Sequence, residues 1–429
     1  MPNMGRHDND RVEDFLGKYK KMTLEFRTAS RAEELDRRIR VAQLTLADKI
    51  EAVKRLVPRN DATDFREELR LERLICSLKS DELPAFKFAL DYDGDYKDLE
   101  EYVFHDIDDE DSQQRIVRHF RTEASPEPIG IKILTDVDDT IYANLVDARY
   151  PRKTFYPGVL ELYDAIKQEP FEVDWIPVTT LSARPNPIAG TLEEGSLQAL
   201  TEHTKGRLRP SALSGRVKSS VLGTIETLSR AKRDEARSNP QDWGQRILGV
   251  FAGLLPDFEH LEERIGEVKF NNFRRFAKVY PEYRFVFFGD SGQADSLTAE
   301  LMVTEEELSL KVVTTFIHDL GAASSPTFKK LDQNLVTAEP PRVILFRNHI
   351  QAAVRAHKHV SGLVTPEALA RVTDAALREF RTIAFEDQDA KDELKAEYKQ
   401  DARETLRLLE AIPGEGHRNA VEAIRDLSF

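Results

Sequence analysis

The feature that most constrains this chain is a short apolar run that ends in a cluster of acids. Residues 131–135 read Ile-Lys-Ile-Leu-Thr, and residues 136–140 read Asp-Val-Asp-Asp-Thr. An apolar run of this length after the Pro-containing linker at residues 123–130 is typical of a buried parallel strand. Ligands of open α/β sheets bind at the carboxyl ends of strands. Because crowded carboxylates repel one another, the cluster also predicts a bound cation, of which Mg²⁺ is the usual example.

Composition narrows the class of protein. The chain has 429 residues, of which 40% are hydrophobic and 32% charged, and this predicts a globular protein of two or three domains. The net charge of −14 argues against a general nucleic-acid binder, so we expect no nucleic-acid partner. The single cysteine, Cys76, excludes an internal disulfide and fits a reducing compartment.

The sequence contains no apolar run that approaches the length of a membrane span, and its first ten residues lack the apolar core of a signal peptide. We therefore expect a cytoplasmic protein without a transmembrane segment. If its substrate is a lipid, the protein must reach that lipid peripherally, from the water side of the membrane surface.

Hydrophobic periodicity divides the chain into three regions. Residues 1–125 are predicted to be helical, residues 126–335 to form an α/β domain, and residues 336–429 to be helical again. The alternation of strands and helices in the middle region predicts a doubly wound, Rossmann-like parallel sheet. Residues 186–266 are predicted to be a long insertion within the middle region. The helical ends are expected to bind a protein partner or to self-associate.

Polar side chains follow two further predicted strands. Ser182 comes directly after Trp175–Leu181, and Thr179 and Thr180 compete with it for the same role. Farther along the chain, the strand Phe285–Phe288 leads into Gly-Asp-Ser-Gly-Gln-Ala-Asp at residues 289–295. Both segments are therefore expected at the carboxyl edge of the sheet, beside the first acid cluster.

A lysine is predicted at the start of a helix between these strands. Val268 and Lys269 open the helical pattern, and Tyr280 and Pro281 end it. Lys278 is the alternative lysine of this segment. The position of Lys269 at the predicted helix start favours it.

These segments resemble the four motifs of the haloacid-dehalogenase superfamily of phosphohydrolases. Asp136–Thr140 resembles the first motif, Ser182 the second, Lys269 the third, and Gly289–Asp295 the fourth. The motifs occur in the order of that family, which makes the set much more specific than any one of them. The resemblance implies an α/β fold and an Mg²⁺-dependent phosphatase.

Between Ile131 and Leu320 the chain is also similar to the phosphatidate phosphatase domain of the actin-patch-protein type. The segments that carry this similarity are Asp136–Ile141, Tyr156–Val159, Val279–Pro281, Gly289–Asp295 and Thr315–Asp319. The long insertion departs from that pattern, and so does Leu-Ser-Ala-Arg-Pro at residues 181–185, where the Ser-Ala-Arg step is similar to lipin-type phosphatases. The resemblance makes phosphatidic acid the leading substrate.

The resemblance implies a role for each residue. Asp136 is expected to attack phosphorus and form an aspartyl-phosphate, and Asp138 to protonate the leaving group and then activate water. Lys269 is expected to offset charge, and Ser182 to donate a hydrogen bond to a phosphoryl oxygen. The expected substrate-binding residues are Thr140 and Arg184. The expected Mg²⁺ ligands are the Asp136 carboxylate, the Asp138 backbone carbonyl, Asp290 and, directly or through water, Asp295.

Plainer interpretations stay open beside these. Asp136 and Asp138 would also serve as helix N-cap and first-turn acids, Asp139 as a structural acid at a helix start, and His318 as a strand-end histidine. At the level of function, one alternative is a phosphatase of a soluble phosphomonoester with the insertion as its specificity cap. Another is a non-catalytic phospholipid-sensing or scaffold module, against which the presence of both Asp136 and Asp138 counts.

Overall fold

The computed structural model describes residues 44–56, 65–92, 98–181, 197–213, 258–321, 324–412 and 418–427. The chain divides into two compact units. The first contains residues 1–127 and 275–282, and the second contains residues 128–274 and 283–429. Among the described residues, no helix is long and apolar enough to cross a bilayer.

The first unit is helical throughout its described part. Its helices are α1 (Leu46–Leu56), α2 (Phe65–Cys76), α3 (Leu83–Asp91), α4 (Leu99–Phe104) and α5 (Glu110–Glu123). Side-chain caps define two of their starts: Asp98 accepts hydrogen bonds from the backbone of Glu100 and Glu101, and Asp109 accepts one from Ser112.

A buried lysine joins residues 275–282 to the rest of the first unit. The Lys87 ammonium donates hydrogen bonds to the Val279 carbonyl at 2.6 Å and to Glu282 at 2.8 Å. It also lies 4.3 Å from the centre of the Phe120 ring. The buried charge is therefore paired and hydrogen-bonded, as a charge in an apolar interior must be.

The second unit is built on a six-stranded sheet in which every strand is parallel to its neighbours. Its strands are β1 (Gly130–Thr135), β2 (Ile176–Leu181), β3 (Leu208–Leu213), β4 (Tyr283–Asp290), β5 (Val312–His318) and β6 (Val343–Phe346). Their order across the sheet is β3-β2-β1-β4-β5-β6. The predicted parallel α/β sheet is thus confirmed, and the strand order reverses between β1 and β4.

Helices flank this sheet and cover it. As a result, the residues of β1 and β2 are buried along their whole length. The helices of the second unit are α6 (Val159–Ile166), α7 (Phe258–Val279, which ends in the first unit), α8 (Asp295–Thr304), α9 (Pro326–Lys329), α10 (Gln333–Thr337), α11 (His349–His359), α12 (Pro366–Thr382), α13 (Gln388–Glu410) and α14 (Arg418–Leu427). Residues of α6, α11, α12 and α13 form one core with the strand residues Ile133 and Phe288. On α7, the Phe273 ring contacts the Phe285 ring edge-on, with centroids 5.3 Å apart.

The structure corrects two sequence predictions about the sheet. β3 lies inside the predicted cap insertion, residues 186–266, yet it pairs with β2 as an edge strand and follows helical residues 197–203. β6 lies in the predicted helical region, residues 336–429. β3 carries Arg209 and Pro210, which an edge strand tolerates but which conceal its pattern. β6 has only four residues, too few for periodicity to distinguish strand from helix. Residues 214–257 of the predicted cap lie outside the described residues.

Candidate active site

The candidate site lies where the carboxyl ends of β1 and β4 meet. Thr135 and Phe288 are partners in the register of the two strands, and the Asp136 N–H donates a 2.8 Å hydrogen bond to the Phe288 carbonyl. Asp136 therefore emerges beside Asp290, the last residue of β4. Because the strand order reverses between β1 and β4, this is the edge at which such sheets open a ligand crevice.

Three carboxylates converge at this edge. Asp136, Asp290 and Asp295 each place one oxygen within 4.8 Å of the others, an arrangement that can hold a metal ion. Asp295, the first residue of α8, accepts a hydrogen bond from the Asp290 N–H at 3.2 Å. Gly289 permits this approach, since a Cβ on it would lie 2.5 Å from the Asp295 Cβ.

Lys269 joins two of the three acids. Its ammonium donates hydrogen bonds to Asp136 at 2.9 Å and to Asp295 at 2.5 Å, and its side chain is only 4% exposed. Burial alone would lower the pKa of Lys269, but the charges of Asp136 and Asp295 outweigh it and hold the pKa above its usual range. Lys269 is therefore a cation at neutral pH.

The three carboxylates outnumber the single positive charge that Lys269 supplies. If all three carboxylates were ionised, the single ammonium would leave two negative charges in the cluster. Burial, and then repulsion from Asp295, raises the pKa of Asp290 well above its usual range. Burial likewise raises the pKa of Asp136 to about 7, although Lys269 opposes the shift. The cluster is thus short of positive charge, which a divalent cation would supply.

The Asp138 carboxylate has a different set of partners. It is not part of the three-carboxylate group found among the described residues. Its Oδ1 accepts a 2.7 Å hydrogen bond from the side-chain amide of Asn144. Asp138 and Asn144 are both nearly fully buried. The two acids of the first motif, Asp136 and Asp138, therefore have distinct surroundings.

Asp139 organises the loop that covers the strand end. Its carboxylate accepts hydrogen bonds from four successive backbone N–H groups at 2.7–3.2 Å, those of Asn144, Leu145, Val146 and Asp147. The interpretation of Asp139 as an acid at a helix start is wrong, since residues 136–158, all of them described, form no helix. Asp139 instead has a left-handed backbone, with φ of 58°. We call residues 142–156 the flap; Tyr142 and Phe155 form an antiparallel bridge at its base.

His318, at the end of β5, lies behind Asp139. Its Nδ1 is 2.9 Å from the Asp139 carbonyl, and its Nε2 is 3.2 Å from both the Arg149 guanidinium and the Arg347 carbonyl. A neutral imidazole that donates from Nδ1–H and accepts at Nε2 serves Asp139 and Arg149, and it leaves the Arg347 carbonyl without a proton from this ring. Burial, and then the charge of Arg149, lowers the pKa of His318 to about 4. This arrangement agrees with a strand-end histidine that supports the loop.

Two of the predicted site residues, Ser182 and Arg184, lie outside the described residues. The two hydroxyls that compete with Ser182 are both engaged with β3. The Thr179 hydroxyl is 3.1 Å from that of Ser211, and the Thr180 hydroxyl donates to the Ser211 carbonyl at 3.0 Å. Neither threonine is thus arranged for the role predicted for Ser182, which stays a prediction.

The structure places the remaining candidates as follows. Thr140 is fully buried, and its hydroxyl has no hydrogen-bond partner among the described residues, so its predicted contact with substrate stays a prediction. Lys269 does not open a helix, because α7 begins at Phe258. Gly266 misled the prediction of that boundary, since glycine usually marks a break. Lys278, the alternative lysine, is exposed.

Asn144 is the residue that sequence reasoning missed. No motif or hydrophobic periodicity in the sequence singles it out. Comparisons with known proteins identify no relative: no protein-family model matches the sequence, and neither a curated protein nor a solved structure matches it. Function must therefore be inferred from the geometry of this site.

Proposed function

We propose that this protein is an Mg²⁺-dependent phosphatase that hydrolyses a phosphomonoester through an aspartyl-phosphate. The observation that carries the proposal is the Lys269 ammonium, which bridges Asp136 and Asp295 at 2.9 and 2.5 Å. Buried acids need a cation in any role. This cation lies at the carboxyl edge of the sheet, where ligands of α/β sheets bind, and it would also offset the charge of a nucleophile that approaches an anionic phosphoryl group.

The two acids of the first motif divide the chemistry between them. An Asp136 oxygen attacks phosphorus as the bond from phosphorus to the leaving oxygen breaks, and the electron pair of that bond stays on the leaving oxygen. Asp138 gives that oxygen its proton. In the second half, Asp138 takes a proton from water, the water oxygen attacks phosphorus, and phosphate leaves Asp136.

The donors present fit a divalent cation. They are carboxylate oxygens, which suit a hard cation such as Mg²⁺, and the cluster has three acids for one lysine. Asp136, the Asp138 carbonyl and Asp290 would hold the ion. Asp295, whose oxygens accept from Lys269 and from the Asp290 N–H, would support it from behind. When bound, the ion supplies charge stabilisation at the phosphoryl oxygens.

The resemblance to the haloacid-dehalogenase superfamily agrees with this proposal and adds its finer points. They are the doubly wound, Rossmann-like form of the sheet, a cap in part of residues 186–266, and phosphatidic acid as the substrate. The parallel sheet supports the first of these, because its order reverses between the strands that carry Asp136 and Asp290.

A phosphate-release screen tests the proposal. Wild type and the Asp136→Asn variant are assayed with Mg²⁺ against phosphatidic acid vesicles, soluble alkyl phosphates and p-nitrophenyl phosphate. We expect release by the wild type and none by the variant. Release from soluble substrates alone would replace phosphatidic acid with a soluble phosphomonoester. Absence of release from every substrate would favour a non-catalytic phospholipid-sensing or scaffold module.

A further inference from the structure

We propose that Asn144 is a positioning residue for proton transfer. Its side-chain amide holds the Asp138 carboxyl in the orientation from which it protonates the leaving oxygen, and Arg152 fixes the orientation of that amide. This inference rests on the proposed phosphatase function and adds two residues of the flap to its machinery.

The three side chains form one hydrogen-bonded series. Arg152 Nε donates to Asn144 Oδ1 at 3.0 Å, and Asn144 Nδ2 donates to Asp138 Oδ1 at 2.7 Å. A guanidinium can only donate, so the carbonyl end of the Asn144 amide must face Arg152. The NH₂ end must then face Asp138. The chemistry of the partners therefore fixes the orientation of this amide.

The backbone of Asn144 is held separately from its side chain. The Asn144 N–H donates a 2.8 Å hydrogen bond to the Asp139 carboxylate, which gathers the N–H groups of the neighbouring flap residues as well. The flap thus has its own anchor and does not depend on the Asn144 amide. Asn144 is 4% and Asp138 5% exposed, so water competes little for the bond between their side chains. The amide can therefore donate to Asp138 without also having to hold the flap in place.

Because Oδ1 of Asp138 accepts the Asn144 amide N–H, the carboxyl is held in one orientation while it delivers its proton to the leaving oxygen. After the transfer Asp138 is a carboxylate, and the same N–H continues to donate to Oδ1. An alkoxide leaving group requires this proton, whereas p-nitrophenolate departs readily without it. The effect of Asn144 must then depend on the leaving group.

The experiment measures kcat/KM with two kinds of substrate for wild type, Asn144→Ala, Asn144→Asp and Arg152→Ala. The alkyl phosphates are glycerol phosphate and phosphatidic acid in detergent micelles, and the aryl phosphate is p-nitrophenyl phosphate. For Asn144→Ala we expect a loss of about 30-fold on alkyl phosphates and less than about 3-fold on the aryl phosphate. Asn144→Asp keeps the shape of the side chain but replaces its NH₂ donor with an oxygen, so we expect the same difference between the losses on alkyl and on aryl phosphates. Arg152→Ala should show a smaller difference.

Two control variants calibrate this difference between alkyl and aryl phosphates. Asp138→Ala shows the largest difference that loss of the acid can produce. Lys153→Gln removes a neighbouring flap cation, and both of its rates should stay near those of wild type. Equal losses on both kinds of substrate for both Asn144 variants, with unchanged melting temperatures, would overturn the inference while the phosphatase proposal stands. A wild type without activity on any of the substrates would overturn both.

Discussion

Lys269 donates a 2.9 Å hydrogen bond to Asp136 although 133 residues separate them in the chain. The lysine comes from the middle of α7, and the aspartate follows β1. The bond therefore links a helix to the strand end at which the strand order of the sheet reverses. It holds a cation beside the candidate nucleophile before any substrate is present.

The first prediction concerns that nucleophile. Asp136→Asn should lower phosphate release by on the order of 10³-fold or more, because an amide cannot form the aspartyl-phosphate. The fold should be retained, since the Asp136 backbone bond to Phe288 does not involve the side chain. Rates and circular dichroism of the two proteins check this. Activity of the variant at the wild-type level would reject the mechanism.

The second prediction concerns the stability of the buried cluster. Lys269→Met leaves the Asp295 carboxylate buried without its cation, so we expect the free energy of unfolding to fall by about 3–5 kcal/mol. Urea unfolding measures it. Lys358→Met is the matched control, because Lys358 pairs with Glu404 on the surface. Its cost should be about 1 kcal/mol or less. Equal costs for both variants would contradict the buried pairing.

The third prediction concerns the flap. Asp139→Asn replaces a carboxylate that accepts from four backbone N–H groups with an amide whose NH₂ faces some of those donors. We expect a loss of stability of about 3 kcal/mol. Hydrogen exchange should show faster exchange at residues 144–147. Asp109→Asn, at the start of α5, is the control and should leave those amides protected. Unchanged protection in the Asp139 variant would show that the flap is held by other contacts.

The fourth prediction concerns pH. The pKa of His318 is about 4 in the folded protein and about 6.5 when unfolded. Between these values the unfolded chain binds the extra proton, so stability falls as the pH is lowered from about 6.5 towards 4. Between pH 7 and pH 5 the contribution of His318 is about 2 kcal/mol. Urea unfolding of wild type and His318→Gln at both pH values measures it.

His349 acts in the same direction, because burial lowers its pKa as well. Burial, the main cause of its pKa shift, remains in His318→Gln, and only the smaller effect of the His318 charge is lost. The difference between the two proteins therefore reports chiefly on His318. An identical pH dependence of the two proteins would mean that the pKa of His318 is the same in the folded and unfolded states.

The fifth prediction concerns the metal. Mg²⁺ should raise the melting temperature of the wild type, and EDTA should reverse the rise. A ligand that binds only the folded state stabilises that state. Asp290→Asn removes one of the three converging carboxylates and should abolish the response. EDTA should also stop phosphate release reversibly. If neither Mg²⁺ nor EDTA changes the melting temperature or the activity of the wild type, the proposed metal site is rejected.

Much of the sheet could be predicted from sequence, but not all of it. β1 and β4 are apolar runs followed by turn-forming residues, and both were found. β3 and β6 were missed, since Pro210 interrupts the first and the second has four residues. Their strand state comes from pairing with β2 and β5, which is not visible in the local pattern. The start of α7 was misplaced because Gly266, usually a helix breaker, lies within it.

The residue pattern alone indicates that Asp136 and Asp290 lie near one another, because parallel strands bring their carboxyl ends to one edge. The side chains that those acids contact depend on how distant parts of the chain pack. Lys269 reaches Asp136 from within a helix, and Asn144 reaches Asp138 because Asp139 takes a left-handed conformation and gathers the flap around its carboxylate. Strand periodicity is a local property of the chain. The path of a loop and the contacts of a helix face depend on packing against residues far away in sequence.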